Sequence, residues 1–463
     1  MTRPDRALLL VVLSACSAEL PAVPSFDARP AAPESSRDAA AALPDAAALL
    51  DAAPPDATSP LDAVPPLDTA PSPDAGALLL DATPPPDARV SCGPAPLPHR
   101  APELVLSDAP TRLVVPRCMD AVMTAVVSAG ARWRVELADA PPDARLRVYP
   151  PRVLDSLADP LDWPAPLAEA EAVAGSTSQV VQVAPPSSGE VVLVLSREDR
   201  ALPLDLPLRV TCEAGCDLRA TRFPLVLVHG YFGTDQFFGL LDYFHDVPER
   251  LRSAGYDVTT PVTDAFNWSE ARAAQLAVQV DAVLARTGAR KVNLLGHSQG
   301  GMDARVLVSG LGYADRVASV TTVATPHLGT PLLVDDLASV QDFGVEYMTQ
   351  TFNPAYPDAP GVPYFSWSAR SCGALDFDCQ RAQGGEVVDP LLTVFHASLA
   401  LRVGDNDGFV PTASMVWGEH LGVLPADHLD EIGQIADPAF VGDPFDHRAF
   451  YRSEAERLAA AGL

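Results

Sequence analysis

Residues 291–305, KVNLLGHSQGGMDAR, constrain this chain more than any other stretch. Val292, Leu294 and Leu295 form a short apolar run of the kind that makes a buried strand. The run breaks at Gly296-His297-Ser298-Gln299-Gly300, and a helix-compatible segment follows. That is G-x-S-x-G between a strand and a helix, the context in which the motif carries a nucleophile. So sharp a turn crowds the backbone, and small residues are needed two positions either side of the serine. Ser298 then stands on a strained corner, its hydroxyl presented at the C-terminal edge of a parallel sheet. The plain alternative is a glycine-rich turn with an incidental serine; three further pieces of the chain weigh against it.

The first is the alternation around the motif. FPLVLVHGYFGTD is an apolar strand ending at His229-Gly230. Helices are expected around Phe237–Ala254 and Trp268–Thr287, with a strand near Tyr256–Thr260 between them, and ASVTTVATPHLGT supplies a further strand. Strands alternating with helices build an open, mostly parallel sheet covered on both faces, so the fold class is α/β, of the α/β-hydrolase kind.

The chain ahead of this region divides into three expected parts. Residues 1–16, MTRPDRALLLVVLSAC, carry a basic head, a short apolar core and small residues before Cys16, as a signal peptide does. Leu13-Ser14-Ala15-Cys16 also has the form of a lipobox, which would make Cys16 the lipidated first residue of an exported, membrane-anchored protein; an ordinary secretory signal is the alternative. Residues 17–90 repeat units such as PPDA and PLDA with almost no aromatic residues, a composition that cannot bury enough apolar area to offset chain entropy. They read as a disordered, partly polyproline-II tether. Residues 91–216 hold short runs such as TRLVVP, RWRVELA, ARLRVYP, EVVLVLS and LPLRVTC between turn clusters, suggesting a small β-sandwich before a catalytic domain at 217–463. No constellation of catalytic residues occurs in the sandwich; a spacer or a holder of a polymer or surface ligand are the readings open to it.

The formal net charge of −28 argues against nucleic acid as a partner. Seven cysteines are present; lipidation of Cys16 leaves six, an even number suited to disulfides in an exported chain. Cys212 with Cys216 and Cys372 with Cys379 would close small local loops, and Cys92 with Cys118 completes one of fifteen possible pairings.

VLVHGYFGTD, KVNLLGHSQGGMDAR, ASVTTVATPHLGT, YFSWSA, NDGFVP and DHLDEIGQ occur in an order that resembles the Ca²⁺-dependent bacterial true lipases, triacylglycerol hydrolases of Gram-negative bacteria, over roughly residues 223–434. A serine hydroxyl needs a base, and the base needs an orienting carboxylate, which in this fold come in the order Ser, Asp or Glu, His. The resemblance puts the acid at Asp407, after the strand-like ALRVG, and the base at His428. Asp405 is the rival acid; His396, His420 and His447 are rival bases. The backbone N–H of Gln299 follows the nucleophile and is one oxyanion donor; the resemblance supplies the N–H of Tyr231 as the second. His229 is expected to brace that loop. The resemblance further implies a structural Ca²⁺ held by Asp389, Asp430 and the main-chain oxygen of Gln434, hard oxygen ligands suited to this ion. Where those lipases carry a long lid between TPHLGT and YFSWSA, this chain has only Pro331 to Pro363, enough for one or two helices forming an acyl-binding wall. The reading is a serine ester hydrolase acting on lipids. Its alternatives are a polyester depolymerase with the same triad, and a surface lipoprotein with an inactive hydrolase domain.

Overall fold

The computed structural model describes Cys92 and residues 97–463, apart from 158, 160–161, 173–176, 232, 234–235, 238–240, 332–342, 385 and 435–444. The signal sequence, Cys16 and the tether at 17–90 lie outside the described residues. Among the described residues no helix is long and apolar enough to cross a membrane.

The first half of the described chain is all β. Its strands are β1 (Leu97–Arg100), β2 (Ser107–Val115), β3 (Met119–Val127), β4 (Arg132–Leu137), β5 (Arg145–Tyr149), β6 (Ala168–Glu169), β7 (Glu171–Ala172), β8 (Gln179–Val183), β9 (Gly189–Ser196) and β10 (Leu204–Ala214). One sheet has the order β1-β3-β9-β5-β6 and the other β2-β10-β4-β8-β7. Pairing is antiparallel except between β1 and β3. Alternation sets the inner face: β10 buries Leu204, Leu206, Leu208 and Val210 while Asp205 faces out. These pack with Met123, Leu146 and Leu193 of the opposite sheet into one core. Strand β3, MDAVMTAVV, escapes a search for alternation because both its faces are covered; Val122 packs outward with Tyr149, Val153 and Val194. The stretch ELVLS at 103–107 is also strand-like in sequence, yet the strand begins only at Ser107.

The second half is an α/β sheet. It is built from β11 (Leu225–Val228), a small hairpin of β12 (Gln236–Phe237) and β13 (Leu241–Asp242), then β14 (Val258–Thr259), β15 (Val292–His297), β16 (Val317–Val323), β17 (Tyr364–Ala369) and β18 (Glu419–Leu424). Apart from the hairpin these form one parallel sheet in the order β14-β11-β15-β16-β17-β18. Strands β11, β15 and β16 are buried along their whole length, as central parallel strands covered by helices must be. The helix Ser269–Thr287 covers one face through Leu276, Val280, Val283 and Leu284, and the helix His447–Ala460 covers the other through Tyr451, Ala455 and Leu458.

Two local expectations are corrected. The segment expected to hold helices around Phe237–Ala254 is a hairpin followed by a helix only at Val247–Ser253, because Pro248 suits a helix start and not a helix interior. ALRVG is no strand either. It ends the helix Thr393–Val403, whose His396 and Leu399 lie three apart on its buried face, and Gly404 stops the helix at φ 86°.

The sandwich is fastened to the N-terminal edge of the parallel sheet. Ser188 Oγ donates to the carbonyl of Gly255 at 2.5 Å, and Ser128 Oγ to that of Arg219 at 2.5 Å. Arg222 ion-pairs with Glu190 at 2.5 Å and Glu103 at 2.6 Å, while its N–H donates to the carbonyl of Leu463. Arg290 pairs with Asp155, and Arg152 reaches the carbonyl of Leu284. Among the described residues the disulfides are Cys92–Cys118, Cys212–Cys216 and Cys372–Cys379.

Candidate active site

Ser298 sits between β15 and the helix Gln299–Arg305 at φ 54° and ψ −126°, a backbone region costly for any residue with a Cβ. The strain is held by packing. A Cβ on Gly300 would stand 2.2 Å from the carbonyl oxygen of Val228, and one on Gly296 would stand 2.5 Å from the carbonyl carbon of Gly300. The glycines flanking the serine are therefore a steric requirement.

Three residues from distant segments meet there. His428 Nε2 lies 3.0 Å from Ser298 Oγ, and His428 Nδ1 lies 2.6 Å from Asp407 Oδ2. The other oxygen of Asp407 accepts from the N–H groups of Phe409 at 2.8 Å and Val410 at 2.7 Å, and Asp407 is fully buried. Ser298 and His428 keep 9% and 7% of their surface, enough for a reactant to reach them. The rivals are tied elsewhere: Asp405 to Arg370, His396 to the carbonyl of Ser371, His420 to Ser368 and His447 to the carbonyl of His245.

The loop after β11 passes directly over the nucleophile. A Cβ on Gly230 would stand 2.7 Å from Ser298 Cβ, so only glycine lets the backbone come so near. Tyr231 follows, its ring edge-to-face with Phe266 at 5.5 Å and with Phe343 at 5.7 Å. Gln299 begins the helix beside it and donates from its side chain to the carbonyl of Asn267. His229 braces this loop. Its Nε2 accepts from the N–H of Thr263 at 3.0 Å, so Nδ1 carries the proton given to the carbonyl of Gly230 at 2.9 Å. Burial, with Arg272 nearby, pushes its pKa down to about 4. Arg272 is fully buried; it pairs with Asp303 at 2.7 Å and donates to the carbonyl of His229 at 2.7 Å. Burial raises the Asp303 carboxyl to about 6 despite that pairing. No motif announced Arg272 or Asp303: they lie 31 residues apart and only the fold joins them.

Behind His428 lies a second buried line. Tyr243 Oη is 2.8 Å from His297 Nδ1, and His297 Nε2 is 2.7 Å from Glu431 Oε2. Glu431 Oε2 also comes within 3.9 Å of His428 Nδ1. Burial holds the His297 pKa well below its ordinary value, with His428 adding to the effect. Burial, then the charges of Asp407 and Asp427, holds Glu431 well above the usual carboxylate range.

The acidic residues beside the His428 loop gather as a set larger than the expected pair. Asp430, Asp427 and Glu386 bring carboxylate oxygens within 4.8 Å of one another, and all three are buried. Asp389, also buried, joins through its N–H, which donates to Asp427 Oδ2 at 2.7 Å; Asp427 Oδ1 accepts from the N–H groups of Leu429 and Asp430. Gln434 is buried with its side chain donating to the carbonyls of Asp242 and Tyr243, so that side chain anchors the neighbouring hairpin. Glu386 and Asp427 were missed. The only sequence hint was an aspartate on each side of His428-Leu429. A cluster of buried carboxyls is costly unless protons or a cation offset the charge, and an all-oxygen donor set suits a hard ion such as Ca²⁺.

Residues 224–360 match the alpha/beta hydrolase fold family. The chain is 34% identical over 301 residues to a triacylglycerol lipase of Vibrio cholerae, covering 52% of this chain and 89% of that one. It is 30% identical over 302 residues to a triacylglycerol lipase of Pseudomonas fragi, covering 52% and 98%. The crystal structure of a Bacillus licheniformis lipase in its mature form is similar with a TM-score of 0.39 and 21% identity, over 51% of this chain and 91% of that one.

Proposed function

Since this chain belongs to the triacylglycerol lipases of the α/β-hydrolase fold, we propose that Ser298, His428 and Asp407 cleave carboxylic esters of lipids, triacylglycerols among them, through an acyl-enzyme on Ser298. The chain is a carboxylic ester hydrolase, and the observation supporting these residue roles is the unbroken line from Ser298 Oγ through His428 to Asp407. His428 Nε2 takes the hydroxyl proton as Oγ attacks the ester carbonyl carbon. Charge gathering on the carbonyl oxygen is met by the N–H groups of Tyr231 and Gln299, fixed donors that need not reorganise during reaction. Asp407 stabilises the imidazolium. His428 then passes its proton to the departing alcohol, and water repeats the sequence to release the acid. The test is to profile residues 91–463 on p-nitrophenyl esters of increasing chain length while mapping the adduct of a small phosphonate. A phosphonate adduct on any residue other than Ser298 would refute the assignment. Nothing in the structure favours an inactive hydrolase domain, in which the relay would be broken.

Asp389, Asp430 and the main-chain oxygen of Gln434, with Glu386 and Asp427 beside them, would hold Ca²⁺. Bound there, the ion would neutralise the buried carboxyls and pin the loop carrying His428, without touching substrate. Chelation is expected to lower the melting temperature first and activity second, with recovery on adding Ca²⁺ and not Mg²⁺, which demands a tighter octahedral shell. A melting temperature unchanged by chelator, with no metal copurifying, would remove the site.

Export with a lipid anchor at Cys16 completes the proposal. It is supported by MTRPDRALLLVVLSAC and by the use of the six remaining cysteines in disulfides. Cys16→Ala is expected to block processing or free the protein from membranes. An intact mass showing an unmodified N-terminus beyond residue 16 would contradict the anchor.

A further inference from the structure

Arg305 ends the helix that begins beside Ser298, and it is fully buried. Its guanidinium lies 3.7 Å from the ring centre of Trp417 and 5.1 Å from that of Phe352. One terminal nitrogen donates to Asn353 Oδ1 at 2.8 Å and approaches His327 Nδ1 at 3.3 Å; the other donates to the carbonyl of Tyr356 at 2.8 Å. These are neutral partners, and burial lowers its pKa to about 10. A buried guanidinium held by carbonyls and ring faces costs desolvation that a methionine of similar length would avoid. What the arginine adds is the fork, which ties three separate segments to the helix behind the nucleophile.

Those segments form one wall. Asn353 Nδ2 donates to the carbonyl of His327, and Thr325 Oγ1, two residues earlier, donates to the carbonyl of Ser298. The helical run from Val345 to Ala355 buries Met348 and Phe352 completely. Tyr347 and Tyr356 both donate to Glu270 Oε1, at 3.4 Å and 3.1 Å. At the near end of the run the carbonyl of Phe343 accepts from the N–H of Thr330, and the Phe343 ring packs on Tyr231.

We propose that Arg305 is a positioning residue which locks residues 343–356 to the nucleophile helix, so that the acyl-side wall and the Tyr231 loop are in place in water, and esters dissolved as single molecules are hydrolysed without a lipid surface. The inference rests on the ester-hydrolase reading above. Its readouts are separable from it: if wild type takes no phosphonate on Ser298 the hydrolase reading fails, whereas the wall is judged on substrate saturation.

The experiment measures initial rates on tributyrin through its solubility limit, and KM and kcat on p-nitrophenyl butyrate, for wild type, Arg305→Met, Arg305→Lys and Asn353→Ala. Wild type is expected to saturate smoothly below the limit, with no step when emulsion forms. Arg305→Met is expected to raise KM about tenfold with kcat within about threefold, a loss of binding geometry more than of chemistry. Asn353→Ala, which removes one strut without burying a new charge, should shift KM in the same direction, and Arg305→Lys should recover part of it. If Arg305→Met does not fold, Asn353→Ala carries the test. A several-fold rate step for wild type at the solubility limit overturns the proposal, as does a folded variant whose KM equals that of wild type.

Discussion

Ser298→Ala is expected to lower kcat by about 10⁵-fold or more while leaving the melting temperature within a few degrees. Alanine keeps the Cβ that already occupies the strained corner, so the substitution adds no clash at φ 54°. It removes only the oxygen to which His428 Nε2 is hydrogen-bonded. Without a nucleophile the remaining oxyanion donors can only assist attack by water, which typically preserves about 10³–10⁴ over the uncatalysed rate. A pure, folded variant keeping more than about a hundredth of wild-type kcat would sink Ser298 as nucleophile.

Asp407→Asn should cost about 10³–10⁴ in kcat with little change in KM. The direction follows from the unequal partners of the two carboxylate oxygens. Oδ1 accepts two backbone N–H groups, from Phe409 and Val410, and an amide must keep its oxygen on that side. The amide NH₂ is then turned to His428 Nδ1, at the position where Oδ2 now sits at 2.6 Å. It donates to Nδ1, forces the proton onto Nε2, and leaves the ring unable to take one from Ser298. Glu431, 3.9 Å from the same nitrogen, is engaged with His297 and is not placed to make good the loss. A loss below about tenfold, measured with the variant's near-ultraviolet circular dichroism unchanged, would show that Asp407 does not set the tautomer.

How much of this was legible beforehand depended on whether the information was local. G-x-S-x-G and its flanking strand and helix are patterns of neighbours, readable in a single sequence; Asp407 and His428 were singled out by the resemblance to the bacterial lipases, the residues alone leaving Asp405, His396, His420 and His447 as rivals. The alternating strands of the sandwich were readable for the same reason, while β3, covered on both faces, was not. Two stretches misled. The 237–254 segment looked helical because its apolar run does not distinguish a helix from a short hairpin followed by a helix. ALRVG looked like a strand until His396 and Leu399 showed where the helix face lay. The long-range pairs were out of reach. Arg272 and Asp303, Glu386 and Asp427, and Arg305 with the backbone carbonyl of Tyr356 are far apart in sequence and carry no motif there; only folding brings them together.

The place at which the sandwich is fastened has a consequence for how a large substrate could be handled. Strand β15 runs six residues, about 20 Å at the usual rise, from the seam near Arg290 up to His297. The sandwich seam and the nucleophile therefore lie at opposite ends of one strand. A polymer gripped by the sandwich could not be fed straight into the cleft; it would have to loop past the whole depth of the sheet before meeting Ser298. Esters then reach the catalytic edge most directly from open solvent, while the end of the sandwich away from the parallel sheet is the one closed by Cys92–Cys118.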